Sequence, residues 1–186
     1  MRIIAGTFSG RPLVAPPGRA TRPTSDRARE AVFNVLAHAP WSAGLEGRRV
    51  LDLFAGSGAY GLEAMSRGAA FALFVETDAA ARGAIRDNIE TLGLFGNTRL
   101  HRRSAIDLGR RPAGLDAPFN LVFIDPPYAK GLAEEALRRL PEGDWIDNGA
   151  CIVLECSADE KPSVDGFTLH DERTYGAAKV LFLSWP

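Results

Sequence analysis

The stretch Val50-Leu51-Asp52-Leu53-Phe54-Ala55-Gly56-Ser57-Gly58-Ala59-Tyr60-Gly61 decides the fold. Its first five residues are an apolar run of strand length with one acid inside it. Its last six match G-x-G-x-x-G, a tight turn that brings the backbone close to a ligand and then opens a helix. A second stretch has the same grammar: Leu121-Val122-Phe123-Ile124 runs into Asp125-Pro126-Pro127-Tyr128. Both read as buried strands that end in special turns. Open α/β sheets bind ligands beyond the carboxyl ends of their strands, where strand order reverses. The two turns are therefore expected to share one cleft.

Outward from these turns the pattern repeats as strand and helix. Strands are expected over residues 50–54, 70–76, 98–102, 119–124 and 150–155. Helices are expected over 60–67, 79–92 (capped by Asp78 and stopped by Gly93) and 132–140. Buried strands alternating with helices predict an α/β fold with a mostly parallel sheet covered on both faces. Residues 167–173 and 178–184, around Tyr175-Gly176, read as an antiparallel C-terminal hairpin. Upstream, Arg22-Pro23-Thr24-Ser25-Asp26 opens a helix that ends before Pro40, with Thr24 or Ser25 as its cap. Residues 1–19 read as a small β-hairpin, with strands over 2–6 and 11–15, too small to stand alone.

The chain has 186 residues, enough for one α/β domain with a sizeable core. No run approaches a membrane span and no leader is recognisable, so a cytoplasmic protein is expected. Cys151 and Cys156 lie in one strand at odd spacing, on opposite faces, and read as reduced core thiols. No metal-ligand spacing is present. The net charge of −1 argues against a nucleic-acid partner, but its distribution argues for one. Residues 1–29 carry six arginines against one acid, a net +5, leaving −6 for the remainder. A second basic cluster holds Arg99, His101, Arg102, Arg103, Arg110 and Arg111. Nearly every cation is arginine, which suits bidentate phosphate recognition, although a solubilising surface has the same composition.

The glycine loop alone fits NAD, S-adenosylmethionine or a turn with no ligand. Glu76, 20 residues after Gly56, sits where an acid binds ribose hydroxyls. Asp52 favours a cationic cofactor over a pyrophosphate, its plain alternative being a cap on its own loop amides. In Asp125-Pro126-Pro127-Tyr128 the two prolines fix φ and remove two donors. Asp125 and the neighbouring carbonyls are left as acceptors for an exocyclic amino group, with Tyr128 as a face for an extruded base.

These motifs resemble the amino-methyltransferases of exocyclic base nitrogens. Arg2-Ile3-Ile4-Ala5-Gly6, Gly10-Arg11 and Arg22-Pro23-Thr24-Ser25-Asp26-Arg27-Ala28-Arg29-Glu30 are similar to the RsmD family of bacterial 16S ribosomal RNA guanine-N2-methyltransferases. The resemblance runs nearly end to end. It implies a Rossmann-like class I S-adenosylmethionine-dependent methyltransferase fold. The substrate it implies is 16S rRNA in an assembled or assembling small ribosomal subunit, and the enzyme is expected to be a monomer without metal. Residues 20–186 would form the methyltransferase domain, and residues 1–19 an extension that grips RNA through Arg2, Arg11 and Arg19. The catalytic residues would be Asp125, Pro126, Pro127 and Tyr128. The cofactor would be held by Arg22, Thr24, Asp52, Phe54, Ala55, Gly56, Ser57, Gly58, Glu76, Ser104, Ala105 and Asp125. The family usually has Asp or Asn where this chain has Ser104; Asp107 is a second candidate for the adenine. Adenine N6 as acceptor, an NAD-dependent oxidoreductase and an RNA-binding assembly factor are the alternative readings.

Overall fold

The computed structural model describes residues 1–17, 26–127 and 131–186. A seven-stranded sheet forms the centre, in the order β3-β2-β1-β4-β5-β7-β6. The five strands from β3 to β5 are parallel: β1 (Arg49–Leu53), β2 (Phe71–Val75), β3 (Thr98–His101), β4 (Phe119–Ile124) and β5 (Ile146–Ser157). β7 (Ala178–Ser184) pairs antiparallel with β5, and β6 (Thr168–Tyr175) pairs antiparallel with β7 as the outer edge. β1, β2 and β4 are buried almost throughout, because helices or loops cover both faces. Edge strand β6 is the opposite, with most of its residues exposed.

One face carries α1 (Asp26–His38), α2 (Ala59–Ser66), α3 (Ala79–Leu92) and the N-terminal segment, with Phe33, Leu62, Ile85, Phe74, Phe123 and Phe182 in their shared core. The other face carries α4 (Leu132–Glu142) and the β3–β4 connection, packed around Phe119, Trp145, Leu137 and Leu108. Strand order reverses between β1 and β4, which is the switch point of a doubly wound sheet. Two departures from expectation have simple causes. β5 begins four residues early, at Ile146, because a register shift between Phe119 and Leu121 lets its start stay paired with β4. α4 continues through Pro141, whose missing N–H is tolerated in the last turn before Gly143.

The N-terminal segment does reverse as an antiparallel hairpin, but with less ladder than the two strands expected over 2–6 and 11–15. Arg2 and Pro12 form its one bridge, the Ile3 and Leu13 amides donate to the Arg11 and Met1 carbonyls, and the Gly10 amide donates to the Ile3 carbonyl. The chain reverses there, but the body of the protein supplies most of its partners. Glu63, wholly buried in α2, accepts the amides of Ile4 (2.7 Å) and Ala5 (3.0 Å) and the Nε–H of Arg67 (2.7 Å). Ser66 bonds Ala5 and Phe8, and Asn88 on α3 holds both the N–H and the carbonyl of Val14. Ile3 and Leu13 are buried in the main core. These anchoring partners lie 58 to 74 residues away, where no local pattern reveals them. Truncating Glu63 to Ala leaves two buried amides and a buried guanidinium without their acceptor. We expect the E63A variant to lose about 3–5 kcal/mol in urea denaturation and to be cut by trypsin near Arg2 and Arg11 under native conditions.

Candidate active site

β1 lies between β2 and β4, with Leu53 opposite Val75 on one side and Ile124 on the other. The residues that follow, Phe54, Glu76 and Asp125, therefore leave the sheet side by side at the switch point. Strand alternation decides which way the side chains go. Phe74, Phe123 and Val153 belong to the core beneath α1–α3, so Glu76, Asp125 and Glu155, two residues on, share that face. Asp52 joins them, two residues after Val50 of the same core. Four consecutive strands thus each present one carboxyl at the same edge of the same face.

The loop between β1 and α2 is shaped by backbone. Phe54 takes φ +58° and Gly56 and Gly58 take +59° and +79°, left-handed conformations that turn the chain within five residues. Gly61 is required for a different reason. A Cβ there would lie 2.4 Å from the Phe74 ring and 3.1 Å from Asp52 Oδ2, so only glycine lets α2 sit this close to the sheet. Glu76 organises the loop from β2: its Oε2 accepts the Gly56 amide and its Oε1 the Asp78 amide, both at 2.8 Å. Asp52 Oδ2 accepts the Gly61 amide at 2.9 Å, so it does cap its own loop, and it is almost fully buried. Ala55 is buried and its amide donates to Val75; Ser57 is buried, with its hydroxyl 3.5 Å from the Met1 sulfur.

At the end of β4, Asp125 is half-buried, Pro126 buried and Pro127 exposed. Beyond β3, Ala105 is buried and Ser104 half-buried, its carbonyl accepting the Asp107 amide; Asp107 itself is exposed. Arg19, Arg22, Thr24 and Tyr128 lie outside the described residues. Arg2 and Arg11 are exposed on the N-terminal segment, Arg2 with its guanidinium 3.6 Å from Asp26. His101 ends β3 opposite Val75, on the face away from Glu76, and His170 stacks on Trp41, so neither histidine is placed as a hydride-transfer acid at this cleft. Cys151 and Cys156 are free, buried on opposite faces, and burial pushes both thiols up to about 11.

Three residues of the site have no sequence signal. The Tyr60 hydroxyl donates to Glu155 Oε2 at 3.0 Å. Asn88, nearly inaccessible, donates to the Ser57 carbonyl at 3.0 Å while holding Val14, and so ties the glycine loop to the N-terminal segment. Each reads locally as an ordinary strand or helix residue.

The electrostatics are those of an acidic basin. Burial, with Glu76 as a lesser contributor, pushes the Asp52 carboxyl up to about 8 against the opposing Gly61 hydrogen bond. Among the described residues neither Asp52 nor Glu76 is in an ion pair. Two carboxyls beside small residues and no paired cation fit a ligand that carries positive charge and hydroxyls; a pyrophosphate would meet repulsion. The unfolded chain ionises Asp52 near 4, whereas the folded chain keeps its proton to about 8, so the stability of the unliganded protein falls as pH rises through that window. The variant D52N, which keeps an acceptor for Gly61, should match wild type in melting temperature near pH 4 and exceed it increasingly towards pH 8. A pH-independent difference would show that Asp52 ionises freely.

The profile of the family described as conserved hypothetical protein 95, the RsmD family, matches residues 1–184. Ribosomal RNA small subunit methyltransferase D of Escherichia coli is 39% identical over 95% of this chain and 85% of its own length. The protein of the same name from Haemophilus influenzae is 36% identical over 95% and 89%. Among solved structures, that of Escherichia coli yhhF superposes with a TM-score of 0.82 at 36% identity, covering 100% of this chain and 97% of that one. The mostly parallel sheet with its antiparallel C-terminal strands and flanking helices is the fold of S-adenosylmethionine-dependent methyltransferases. With the match running over all but the last two residues, the chain belongs to the RsmD family.

Proposed function

We infer that this protein transfers a methyl group from S-adenosylmethionine to the exocyclic N2 of a guanine in 16S ribosomal RNA. The observation that carries the reading is the adjacency at the switch point: a rigid Asp125-Pro126-Pro127 turn leaves β4 beside an acidic, glycine-shaped loop leaving β1. The relatives named as small-subunit methyltransferases support rRNA as the substrate class. Guanine rather than adenine rests on that family membership. We place the reaction in the cytoplasm, on an assembled or assembling small subunit, with the protein acting as a monomer. No helix among the described residues is long and apolar enough to cross a membrane.

When bound, the cofactor supplies an electrophilic methyl on a positively charged sulfur. Glu76 holds the ribose hydroxyls: a carboxylate has about four lone-pair sites, and two backbone amides leave the others available. Asp52 would meet the cationic part of the ligand, and the Phe54-Ala55-Gly56-Ser57-Gly58 backbone would contact it. Ser104 and Ala105 would contact the adenine. Arg22 and Thr24, outside the described residues, are assigned to the methionine moiety by the family resemblance. The acceptor nitrogen is a weak nucleophile because its lone pair is conjugated with the purine. Asp125 and the Pro126 carbonyl accept its two N–H groups and draw it towards tetrahedral geometry, which strengthens as the reaction proceeds and so favours the transition state. The prolines leave no turn N–H to compete for those acceptors. Tyr128, outside the described residues, would offer its ring to the extruded base. The cysteines take no part, being buried and protonated.

Replacing Asp125 with Ala should lower kcat at least about 100-fold with cofactor affinity nearly unchanged. Glu76→Ala should instead weaken cofactor binding by about 10- to 100-fold in calorimetry. Methyl transfer to unmodified 16S rRNA, with nucleoside mass spectrometry of the product, tests the acceptor assignment; an N6-methyladenine product would overturn it.

We further propose that the N-terminal segment grips rRNA beside the cleft through Arg2, Arg11 and Arg19. Its charge, and its anchorage by Glu63 and Asn88, make it a rigid basic platform, where phosphate contacts dominate affinity. Reversing Arg2 and Arg11 together to Glu should raise KM for RNA at least about tenfold and lower the salt slope of binding by about two. Cofactor affinity should not move. An unchanged salt slope would make the segment a cover for the core only.

A further inference from the structure

Tyr60 opens α2 directly behind the glycine loop, and Glu155 lies near the end of β5. They meet across 95 residues of sequence in one hydrogen bond, and both are buried. The Tyr60 ring lies flat on Phe123, with centroids 4.9 Å apart and planes 19° from parallel. Phe123 precedes Asp125 by two residues on the same face of β4. The β4–β5 register pairs Phe123 with Val153 and Ile124 with Leu154, so the next rung sets Glu155 beside Asp125. A buried carboxyl costs stability unless it is held, and packing alone would be served by a leucine. The pair also bridges the two halves of the site, since Tyr60 belongs to the cofactor loop's helix and Glu155 to the strand next to the Asp125 turn.

We propose that Tyr60 and Glu155 are positioning residues for Asp125. The Tyr60 hydroxyl clamps an ionised Glu155 at the rung beside Asp125, and the Glu155 charge raises the basicity of Asp125. The role assigned to Asp125 above is the premise. As the acceptor nitrogen gains its bond to the methyl carbon, the methyl–sulfur bond breaks and sulfur keeps its electron pair; the nitrogen becomes positively charged, and neutrality returns when one of its protons passes to the Asp125 carboxylate. Two adjacent carboxyls stabilise that charge where it develops. Donation from Tyr60 to Glu155 favours the ionised carboxylate. Burial, together with the charges of Glu155 and Asp125, holds the Tyr60 phenol well above its ordinary range, so it remains the donor at every working pH. Among the described residues this face also carries Asp52 on β1, Glu76 on β2 and, on the outer strand, Arg173 and Tyr175, while Arg29 on α1 acts on Tyr60 with the opposite sign.

The test is a carboxyl-carbon NMR titration of Asp125 in the cofactor-free protein, joined to the pH profile of kcat, for wild type, Glu155→Gln and Tyr60→Phe. Gln preserves the acceptor for Tyr60 and removes only the charge. In Glu155→Gln the Asp125 midpoint should fall by about one unit or more, because a like charge has gone. The acid limb of kcat should move in the same direction, and kcat should drop about tenfold with cofactor affinity little changed. Tyr60→Phe should shift Asp125 the same way by less. An Asp125 midpoint identical to wild type in folded Glu155→Gln overturns the proposal, even where stability falls. If Glu155→Gln does not fold, the near-isosteric Tyr60→Phe decides by the same criterion. A wild-type protein that methylates no rRNA would remove the proposed reaction, and the titration would still decide the pairing.

Discussion

A strand buried on both faces has little room for a polar side chain except near its end, and in a parallel sheet all carboxyl ends fall on one edge. Alternation then decides the face. Asp52, Glu76, Asp125 and Glu155 come from four consecutive strands and point to the same side because each keeps the parity of an apolar residue two positions earlier. One inserted residue in β4 would turn Asp125 to the α4 face and bring Ile124 into the cleft. The register of the sheet, more than any single contact, assembles the site.

The same economy governs the N-terminal segment. It has one bridge of its own, so its shape is borrowed from α2 and α3. Glu63 is central to that borrowing: a buried carboxylate is tolerable there only because two amides and the Arg67 side chain surround it, with Arg29 close by. Arg29 in turn donates to the Arg2 carbonyl and to Asp26, which joins the start of α1 to the start of the chain. Asn88 carries the connection onward to the glycine loop through the Ser57 carbonyl. A substitution at Asn88 therefore acts at both ends, on the basic platform and on the cofactor loop.

How much of this the sequence discloses follows from the range of each interaction. The glycine loop, the Asp125 turn and the Asp78 cap are local: spacing, proline and glycine define them, and the structure finds α3 and β4 within the expected bounds. The alternation of strands and helices discloses a mostly parallel sheet with an antiparallel end, though not its strand order. What stays hidden are partners joined across 31 to 95 residues. No local pattern marks Glu63 or Asn88 as interior residues of their helices, yet both are buried. Tyr60 opens an expected helix and Glu155 closes an expected strand, and neither points to the other. The two short segments around the Phe8-Ser9-Gly10 turn suggest a hairpin, and the reversal is there, but the partners that fix it on α2 and α3 leave no mark in the local sequence.

The acidic edge also explains why the site would be the least stable part of an otherwise well-filled sheet. Asp52 is a carboxyl inside a buried strand, kept protonated chiefly by burial with a smaller push from Glu76. The nearby buried guanidinium of Arg29 is engaged with Arg2, Asp26 and Glu63. A protein that binds nothing there would gain stability by losing these acids. A protein that binds a cation recovers the cost on binding, since whatever favours the ionised carboxyls in the folded state alone stabilises that state by mass action. Ligand affinity and resting instability are thus two sides of one charge distribution. The acids stand at the carboxyl ends of the strands, whereas the opposite end of β1 carries Arg48 and Arg49, whose charges are absorbed by hydrogen bonds to backbone carbonyls.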